Sequence, residues 1–251
     1  MAKPDHIELP TGERIPILYE DRSVMAIDKP RDWMLVPFSW QKTNRNLQAA
    51  LASSIAAGDF WARSRGLRFL RFVHRLDAET TGILLLAKSQ GAVASYGALF
   101  ESREMEKIYL AVVAGVPKQT EWICRLKIGQ DAKEHGRMRV DARHGKEAQT
   151  HFRVLQAHEK TTLIEARPLT GRTHQIRVHL AASGNPVVGD ELYGKSEQTP
   201  TAQRRGKQAA TNLGLRAIAL AYFDPFTRRR VEIRAPIEAF VREYGFELPK
   251  I

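Results

Sequence analysis

The sequence predicts an α+β fold, with a largely antiparallel, mixed β-sheet and flanking helices. Most apolar segments are short and strand-like, many neighbouring strands are joined by short turns, and helices are scattered between them. This pattern favours an antiparallel arrangement over a doubly wound parallel sheet. At 251 residues the chain is long enough for one large domain or two small ones with an ample core.

Short apolar runs bounded by turn residues predict the strands. Asp21-Arg22-Ser23 separates the first two runs, which therefore form a hairpin, and Asp224-Pro225 does the same for the last two. The predicted strands cover residues 17–20, 24–28, 82–88, 107–114, 121–126, 150–155, 161–166, 215–222 and 230–234.

Four segments predict helices. Residues 46–57 follow Asn44, a candidate N-cap, and end before Gly58. Residues 90–103 repeat small and apolar residues at helical spacing, which would pack one helix on the sheet. The remaining two helices are predicted at residues 173–182 and 237–244.

The charge balance points to a polyanionic partner. Lys and Arg number 39 against 28 Asp and Glu, a formal net charge of +11. Each phosphate that a protein neutralises releases counterions, so such a surplus favours nucleic acid. Basic clusters at 63–72, 203–207 and 227–234 lie close to aromatic residues or in polar sequence. The segment 195–212 predicts a basic surface loop, which could close over RNA or be a tolerated insertion.

Several classes of protein are disfavoured. No apolar run approaches the ~18 residues of a membrane span, and the N-terminus lacks a secretory signal. The single cysteine, Cys124, rules out an internal disulfide framework and is predicted to be a packed thiol in a cytoplasmic protein. No P-loop, dinucleotide fingerprint or zinc motif is present, and His174 and His179 lack a carboxylate or thiol to complete a metal set.

Three side chains could carry chemistry, although each also has a purely structural interpretation. Asp77 lies in HRLDAETTGILLLAKS, directly before a buried strand, where it is either a turn residue or a carboxylate at a cleft. Arg75 lies two residues earlier and would keep a nearby carboxylate ionised. Arg172 begins a helix and could reach a phosphate or remain solvated. Tyr109 interrupts an aliphatic strand as a core residue or a stacking platform.

Three motifs follow one another along the chain: HRLDAETTGILLLAK, EKIYLAVVAG and GRTHQIRVHLAASGNPVVGD. In this order and at these separations they resemble the RluA-type pseudouridine synthases. The opening ILYEDRSVMAIDKPRDWMLV, the middle GKEAQTHFRVL and the closing LRAIALAYFDPFTRRRVEIRAP are also similar to that family. The resemblance covers about residues 17–245, which is nearly the whole chain.

This resemblance implies an RNA pseudouridine synthase with a central RNA-binding cleft, which isomerises uridine in transfer or ribosomal RNA without cofactor or metal. The matching carboxylate is Asp77, which would attack C1′ or abstract the 2′-proton. The matching Tyr109 would stack on the uracil, and Arg172 would pair with Asp77. Ile176 would form a pocket wall.

Base flipping follows from the same resemblance, because a stacked base cannot be reached by the enzyme. Arg75 matches a residue that fills the space of the flipped nucleotide, and His74 beside it is a further RNA-binding candidate. The implied organisation is an extension at residues 1–16 and one catalytic domain at 17–251, without the S4 RNA-binding module, in a monomer. Thr80-Thr81-Gly82 replaces the family's Thr-Ser-Gly, and residues 37–40 replace a stretch that often includes His-Pro.

Two other functions stay open at this stage. A non-catalytic RNA-binding protein could share the fold, but it would be expected to lose at least one of Asp77, Tyr109 and Arg172. A hydrolase with an Asp nucleophile would need a second acid, for which Glu79 is the nearest candidate, and would release free uracil.

Overall fold

The computed structural model describes residues 2–9, 11–35, 45–194 and 212–249. The predicted loop 195–212, apart from Asn212, and the segment 37–40 lie outside the described residues. The chain forms two compact units. The first unit comprises Met1–Glu106 and Ala217–Ala235, and the second comprises Lys107–Arg216 and Pro236–Ile251.

Strands dominate the described residues, which confirms the predicted α+β class. The strands are β1 (His6–Glu8), β2 (Arg14–Glu20), β3 (Val24–Lys29), β4 (Arg71–Phe72), β5 (Thr81–Ala87), β6 (Glu106–Ala114), β7 (Glu121–Cys124), β8 (Ile128–Gln130), β9 (Met138–Val140), β10 (Thr150–Ala157), β11 (Thr161–Pro168), β12 (Leu215–Phe223) and β13 (Arg230–Arg234). The helices are α1 (Leu47–Ala57), α2 (Phe60–Arg63), α3 (Gln90–Glu101), α4 (Gln175–Ala182) and α5 (Glu238–Glu243). In the described ranges no helix is long and apolar enough to cross a membrane.

In the first unit, β3 and β5 form the centre of the sheet. The strand order is β1, β2, β3, β5 and β12, with β4 beside β5 and β13 beside β12. β3 and β5 are almost continuous aliphatic runs and are buried on both faces. They pair antiparallel, with Val24 opposite Ala87 and Lys29 opposite Gly82. Lys29 therefore lies at the end of the sheet where the Asp77 segment enters β5.

Gly82 is required at this point of the sheet. Its φ of +104° lies in the region that side chains rarely adopt, and an added Cβ would collide with the backbone carbonyl oxygen of Ala217. The Thr-Thr-Gly sequence thus lets β12 approach β5 closely, directly after the residues that carry Asp77.

The second unit contains a four-stranded antiparallel sheet in the order β6, β11, β10 and β7, and a separate hairpin of β8 and β9. Its core includes residues from β6, β10, β11 and α4, and Trp122 stacks on Phe152 at 5.0 Å. Cys124 is buried in this core, as predicted, and burial raises the pKa of its thiol.

All nine predicted strands and all four predicted helices are present, but several ends differ. β7 ends at Cys124 instead of residue 126, because the Leu126 carbonyl accepts a hydrogen bond from Nε2 of His179 at 2.9 Å. α4 begins at Gln175 instead of residue 173, because His174 adopts a left-handed conformation with φ of 54°. α1 is capped by Asn46, whose side chain accepts from the Ala49 amide, whereas Asn44 lies outside the described residues.

Candidate active site

Asp77 lies in the first unit, on a loop between β4 and β5. Its side chain is partly buried. A turn closes behind it, because the Thr80 amide donates to the Asp77 carbonyl at 3.2 Å. The next carbonyl, that of Ala78, accepts from the Asp32 amide at 2.9 Å, which attaches the loop to the residues after β3. The backbone of the loop is therefore held at Asp77 and at the residue that follows it.

The strongest support for this loop comes from Lys29, whose side chain is completely buried. Its ammonium donates to the carbonyl oxygens of Pro30 at 3.0 Å, Ala78 at 2.7 Å and Thr80 at 3.0 Å. An ammonium has three donors, so all of them are used on backbone carbonyls. Two of these carbonyls belong to the three residues that follow Asp77. The buried cation thus fixes the backbone that carries the carboxylate.

Burial also sets the protonation of Lys29. Desolvation lowers its pKa to about 8, while the carboxylates of Glu79, Asp77 and Asp32 act in the opposite direction. The ammonium remains mostly charged at neutral pH and attracts the Asp77 carboxylate. The sequence interpretation missed this residue, although a lysine directly before Pro30 at the end of a buried strand was the available signal.

His74 and Arg75 differ in how far they reach solvent. The Leu85 amide donates to Nε2 of His74 at 3.0 Å, and the ring stacks on Phe100 with centroids 4.5 Å apart. His74 is therefore part of the support between β5 and α3. Arg75 is exposed, as is Glu79. Of these two predicted RNA contacts, Arg75 has the more accessible side chain.

In the second unit, Tyr109 and Ile176 belong to one apolar cluster. Tyr109 lies on β6 opposite Ala166 of β11 and packs, partly buried, against the core. Ile176 of α4 is a member of that core, with 6% of its surface exposed. The structure thus brings together the predicted uracil platform and the predicted pocket wall.

Gln175 organises the Gly171-Arg172-Thr173-His174 segment. Its Oε1 accepts from the Arg172 amide at 3.0 Å and from the Thr170 hydroxyl at 2.7 Å. Its Nε2 donates to the Gln149 carbonyl and to the Thr150 hydroxyl. A glutamine with every hydrogen-bonding atom satisfied holds this turn rigidly.

Arg172 is partly buried on that turn. Its Nε donates to the Glu147 carbonyl at 2.9 Å. This hydrogen bond uses one of the five N–H donors of the guanidinium and fixes the direction of the group. Lys107, two residues before Tyr109 on β6, donates to the Thr170 carbonyl at 3.4 Å, and burial lowers its pKa to about 8. Sequence reasoning did not single out Lys107.

A buried ion pair fixes the other side of α4. Arg177 contacts Asp190 in bidentate geometry at 2.7 and 2.8 Å, and both side chains are almost inaccessible. Asp190 also accepts from the amides of Leu192 and Tyr193. The Tyr193 hydroxyl lies 2.9 Å from Nδ1 of His174. These contacts give Arg177, Asp190 and His174 structural partners within this block.

Within the part of the chain that the structure describes, no group of three His, Cys, Asp or Glu side chains is arranged to hold a metal ion. His179 in particular is buried, and its Nδ1 lies 3.0 Å from the Thr150 hydroxyl. Desolvation lowers the pKa of His179, which favours the neutral ring in this core position.

Comparison with known proteins identifies relatives of this chain. The family model described as RNA pseudouridylate synthase matches residues 24–182. The dual-specificity RNA pseudouridine synthase RluA of Vibrio cholerae serotype O1 is 31% identical over 216 residues, 86% of this chain and 80% of that protein. The ribosomal large subunit pseudouridine synthase C of Yersinia pestis is 36% identical over 240 residues, 93% of this chain and 69% of that protein.

Solved structures show the same likeness. Human RNA pseudouridylate synthase domain containing 1 has a TM-score of 0.66 at 28% identity, covering 89% of this chain and 84% of that one. Human RNA pseudouridylate synthase domain containing 4 has a TM-score of 0.71 at 22% identity, covering 93% of this chain and 94% of that one. This second likeness supports the fold. The matched segment 24–182 includes both Asp77 and the Arg172 turn.

Proposed function

Because this chain belongs to the RNA pseudouridylate synthase family, we propose that Asp77 is the carboxylate with which it converts uridine to pseudouridine in RNA. The chain is an RNA pseudouridine synthase, an isomerase. The observation that carries the assignment of Asp77 is the set of hydrogen bonds from Lys29 to the carbonyls of Ala78 and Thr80. A carboxylate on a backbone fixed in this way is preorganised for reaction.

The reaction changes the connectivity of the uridine but not its composition. The C1′–N1 bond breaks, either through attack of Asp77 on C1′ or through its abstraction of the 2′-proton. The freed uracil then rotates and C5 bonds to C1′, while the bond from Asp77 to C1′ breaks or, on the second route, the 2′-proton returns to C2′. The proton on C5 is then lost, and N1 gains one. Such an isomerisation needs no oxidant, nucleotide or metal, so the side chains of the protein supply the acid–base and nucleophilic steps.

Tyr109, Ile176 and Arg172 complete the proposed machinery. Tyr109 stacks on the uracil and assists removal of the C5 proton, and Ile176 forms an aliphatic wall of the pocket. Their membership of one apolar cluster supports a shared role. In the proposed site Arg172 pairs with Asp77 and orients its carboxylate, since a guanidinium binds a carboxylate in a defined geometry.

Access to the target requires base flipping. Extruding a nucleotide from a stack costs a few kcal/mol, which contacts to the RNA must offset. The exposed Arg75 is suited to occupy the vacated space, and the net charge of +11 favours the phosphate backbone. His74 contributes by supporting the loop from which Arg75 projects.

Structured RNA in the cytoplasm is the proposed substrate, and the protein acts as a monomer. The names of the relatives refer to the large ribosomal subunit in one case and to dual specificity in the other. Ribosomal RNA is therefore the first substrate to test, followed by transfer RNA.

The experiment incubates unmodified ribosomal and transfer RNA transcripts with the wild type, Asp77→Asn and Glu79→Gln. Pseudouridine is mapped by mass spectrometry of nuclease fragments after carbodiimide labelling, and free uracil is measured in parallel. We expect one or a few modified uridines with the wild type and Glu79→Gln, and none with Asp77→Asn. Release of free uracil instead would identify a hydrolase. RNA binding without either product would identify a non-catalytic RNA-binding protein.

A further inference from the structure

The first unit also contains a basic cavity of about 540 Å³. It is lined by Lys3, Glu20, Arg22, Arg65, Arg68 and Lys88, among others. Five of the side chains around it are basic, whereas only Glu20 and Asp21 are acidic. Two of the arginines belong to the basic cluster 63–72 that the sequence displays. The chemistry proposed for Asp77 uses none of these residues.

This cavity lies at the opposite end of the sheet from Asp77. Val24 pairs with Ala87 and Lys29 with Gly82, so β3 and β5 run side by side between the two ends. The Lys88 amide donates to the Ser23 carbonyl at 2.9 Å, just beyond the far end of both strands. At ~3.3 Å per residue, the seven residues of β5 separate the two ends by about 20 Å.

The floor of the cavity is a built charge cluster with a surplus of positive charge. Glu20 accepts from Nε of Arg65 at 2.8 Å and from Nζ of Lys88 at 2.6 Å, and the Arg65 side chain is only 4% exposed. Burial would raise the pKa of Glu20, but the hydrogen bonds from Lys88 and Arg65 lower it. One carboxylate therefore balances two cations in a largely desolvated position, where an additional anion is favoured.

The rim adds three exposed cations, Lys3, Arg22 and Arg68. Across the described ranges, none of them lies within salt-bridge distance of a carboxylate. The nearby Asp21 is already engaged, because it accepts from the amides of Ser23 and Val24 and from the Tyr19 hydroxyl. The rim cations are thus available to an anion from outside the chain.

Aromatic and basic side chains flank the same end of the sheet. β13, which follows the turn at Asp224, contacts β2, so the turn after β12 lies close to β2. In agreement, burial raises the pKa of Tyr19, and Asp21 and Asp224 add to this effect. The turn after β12 exposes Phe226 by 55%, followed by the exposed Arg228 and Arg229. Aromatic rings among arginines are typical of surfaces that contact single-stranded or looped RNA.

We propose that this cavity binds a backbone phosphate of the substrate RNA about 20 Å from the reacting uridine. The proposal rests on the proposed function and adds a distant anchor to it. A phosphodiester offers oxygens that arginines bind in bidentate geometry, and each such contact releases counterions. The anchor would select RNAs that extend from the target loop to the far end of the sheet, and so contribute to the choice of substrate.

The test compares Arg22→Ala/Arg68→Ala with a matched control, Arg14→Ala/Arg234→Ala. The control removes two exposed arginines of the same unit that already pair with Glu8 and Glu232. Both pairs of substitutions are made in the Asp77→Asn background, so binding is measured without turnover. Dissociation constants for a substrate RNA are measured by fluorescence anisotropy between 50 and 300 mM salt, roughly the range over which phosphate contacts are resolved.

We expect the cavity variant to bind RNA at least about tenfold more weakly at low salt. The slope of the logarithm of the association constant against the logarithm of the salt concentration should fall in magnitude by roughly 1 to 2. The control should change affinity less than about twofold. In the background that retains Asp77, kcat at saturating RNA should be unchanged. A minimal stem-loop too short to reach the cavity should bind the cavity variant and the control equally well.

An affinity and salt slope equal to those of the control would overturn the proposal. So would an equal loss of affinity for the minimal stem-loop, because the arginines would then act near the target base. Thermal unfolding would check that both variants fold, as we expect because the substituted side chains are exposed. Failure of the proposed function would appear separately, as absence of pseudouridine with the wild type.

Discussion

Nζ of Lys29 lies 2.7 Å from the carbonyl oxygen of Ala78, the residue that directly follows Asp77. The two residues are 49 positions apart in sequence, and β3 and β5 bring them together by pairing Lys29 with Gly82. A completely buried ammonium thus replaces solvent as the partner of the loop carbonyls. This relationship connects the fold of the first unit to the chemistry proposed for its carboxylate.

Lys29→Met should lower kcat without abolishing the fold. Methionine fills the space of the lysine side chain up to Cε but lacks the ammonium, so the carbonyls of Ala78 and Thr80 lose their donor and the Asp77 loop loosens. We expect a decrease in kcat of about 10- to 100-fold with KM nearly constant, as small misplacements of a reacting group have this effect. Steady-state kinetics and circular dichroism would check both parts. Unchanged kcat in a folded variant would show that the anchor is dispensable.

The pH dependence of stability gives an independent test of the buried lysine. Its pKa is about 8 in the folded protein against 10.5 for an ordinary lysine. Between these values the unfolded chain binds more protons, so the free energy of unfolding should rise with pH by an amount on the order of 3 kcal/mol. Below pH 8 both states are protonated and the cost of burying the charge is fully present.

The measurement is urea unfolding of the wild type and Lys29→Met from pH 7.5 to 10.5, roughly the range of the two pKa values. Lys107, whose pKa is also lowered, is present in both proteins and cancels in their difference. We expect the wild type to gain stability relative to the variant as pH rises. If the difference in free energy of unfolding between the wild type and Lys29→Met stayed constant over this pH range, the pKa of Lys29 would not be lowered by folding.

Gly82→Ala should be strongly destabilising. The added methyl group would collide with the Ala217 carbonyl, and φ of +104° is unfavourable for alanine. We expect a loss of about 3 kcal/mol or more in the free energy of unfolding. Gly97→Ala is the matched control, since its Cβ meets nothing within 4 Å and alanine favours the helix by ~1 kcal/mol. Chemical denaturation would measure the free energies of unfolding of both variants. Similar values would contradict the close approach of Ala217 to Gly82.

Arg172→Ala should lower kcat with little change in KM. The substitution removes the guanidinium that is proposed to orient Asp77, while the turn that carries it is still held by Gln175. We expect kcat to fall by about 100-fold or more, and Arg172→Lys to recover only part of the loss, because an ammonium lacks the planar fork of the guanidinium. Arg125→Ala, an exposed arginine of the same unit, serves as the control. A kcat equal to that of the control would contradict the role proposed for Arg172.

The larger elements were predictable because their apolar patterns are long and their ends are marked. β3 and β5 are almost continuous aliphatic runs, and α1 ends at Gly58 in a left-handed conformation. β1, β4, β8 and β9 were missed because two or three residues carry no periodicity. The start of α4 was misplaced because no local rule predicts a left-handed histidine at its N-cap.

The site was only partly accessible from sequence for a similar reason. Asp77, Tyr109 and Arg172 were identified through a family resemblance carried by contiguous motifs, and their individual roles stay predictions. For Lys29 the sequence shows only a lysine before Pro30 at the end of a buried strand, and its role could not be inferred because two of its carbonyl partners lie 49 and 51 residues away. The cavity around Glu20 likewise depends on the meeting of Arg65 and Lys88 in space.

The most direct test of the central claim is a single-turnover measurement of tritium release from RNA that carries [5-³H]uridine, with the wild type and Asp77→Asn. Asparagine preserves the shape of the side chain but removes the carboxylate. We predict that Asp77→Asn binds the RNA within about threefold of the wild type, while its rate of tritium release falls by at least about 10³-fold. Release at a rate close to that of the wild type would contradict the assignment of Asp77.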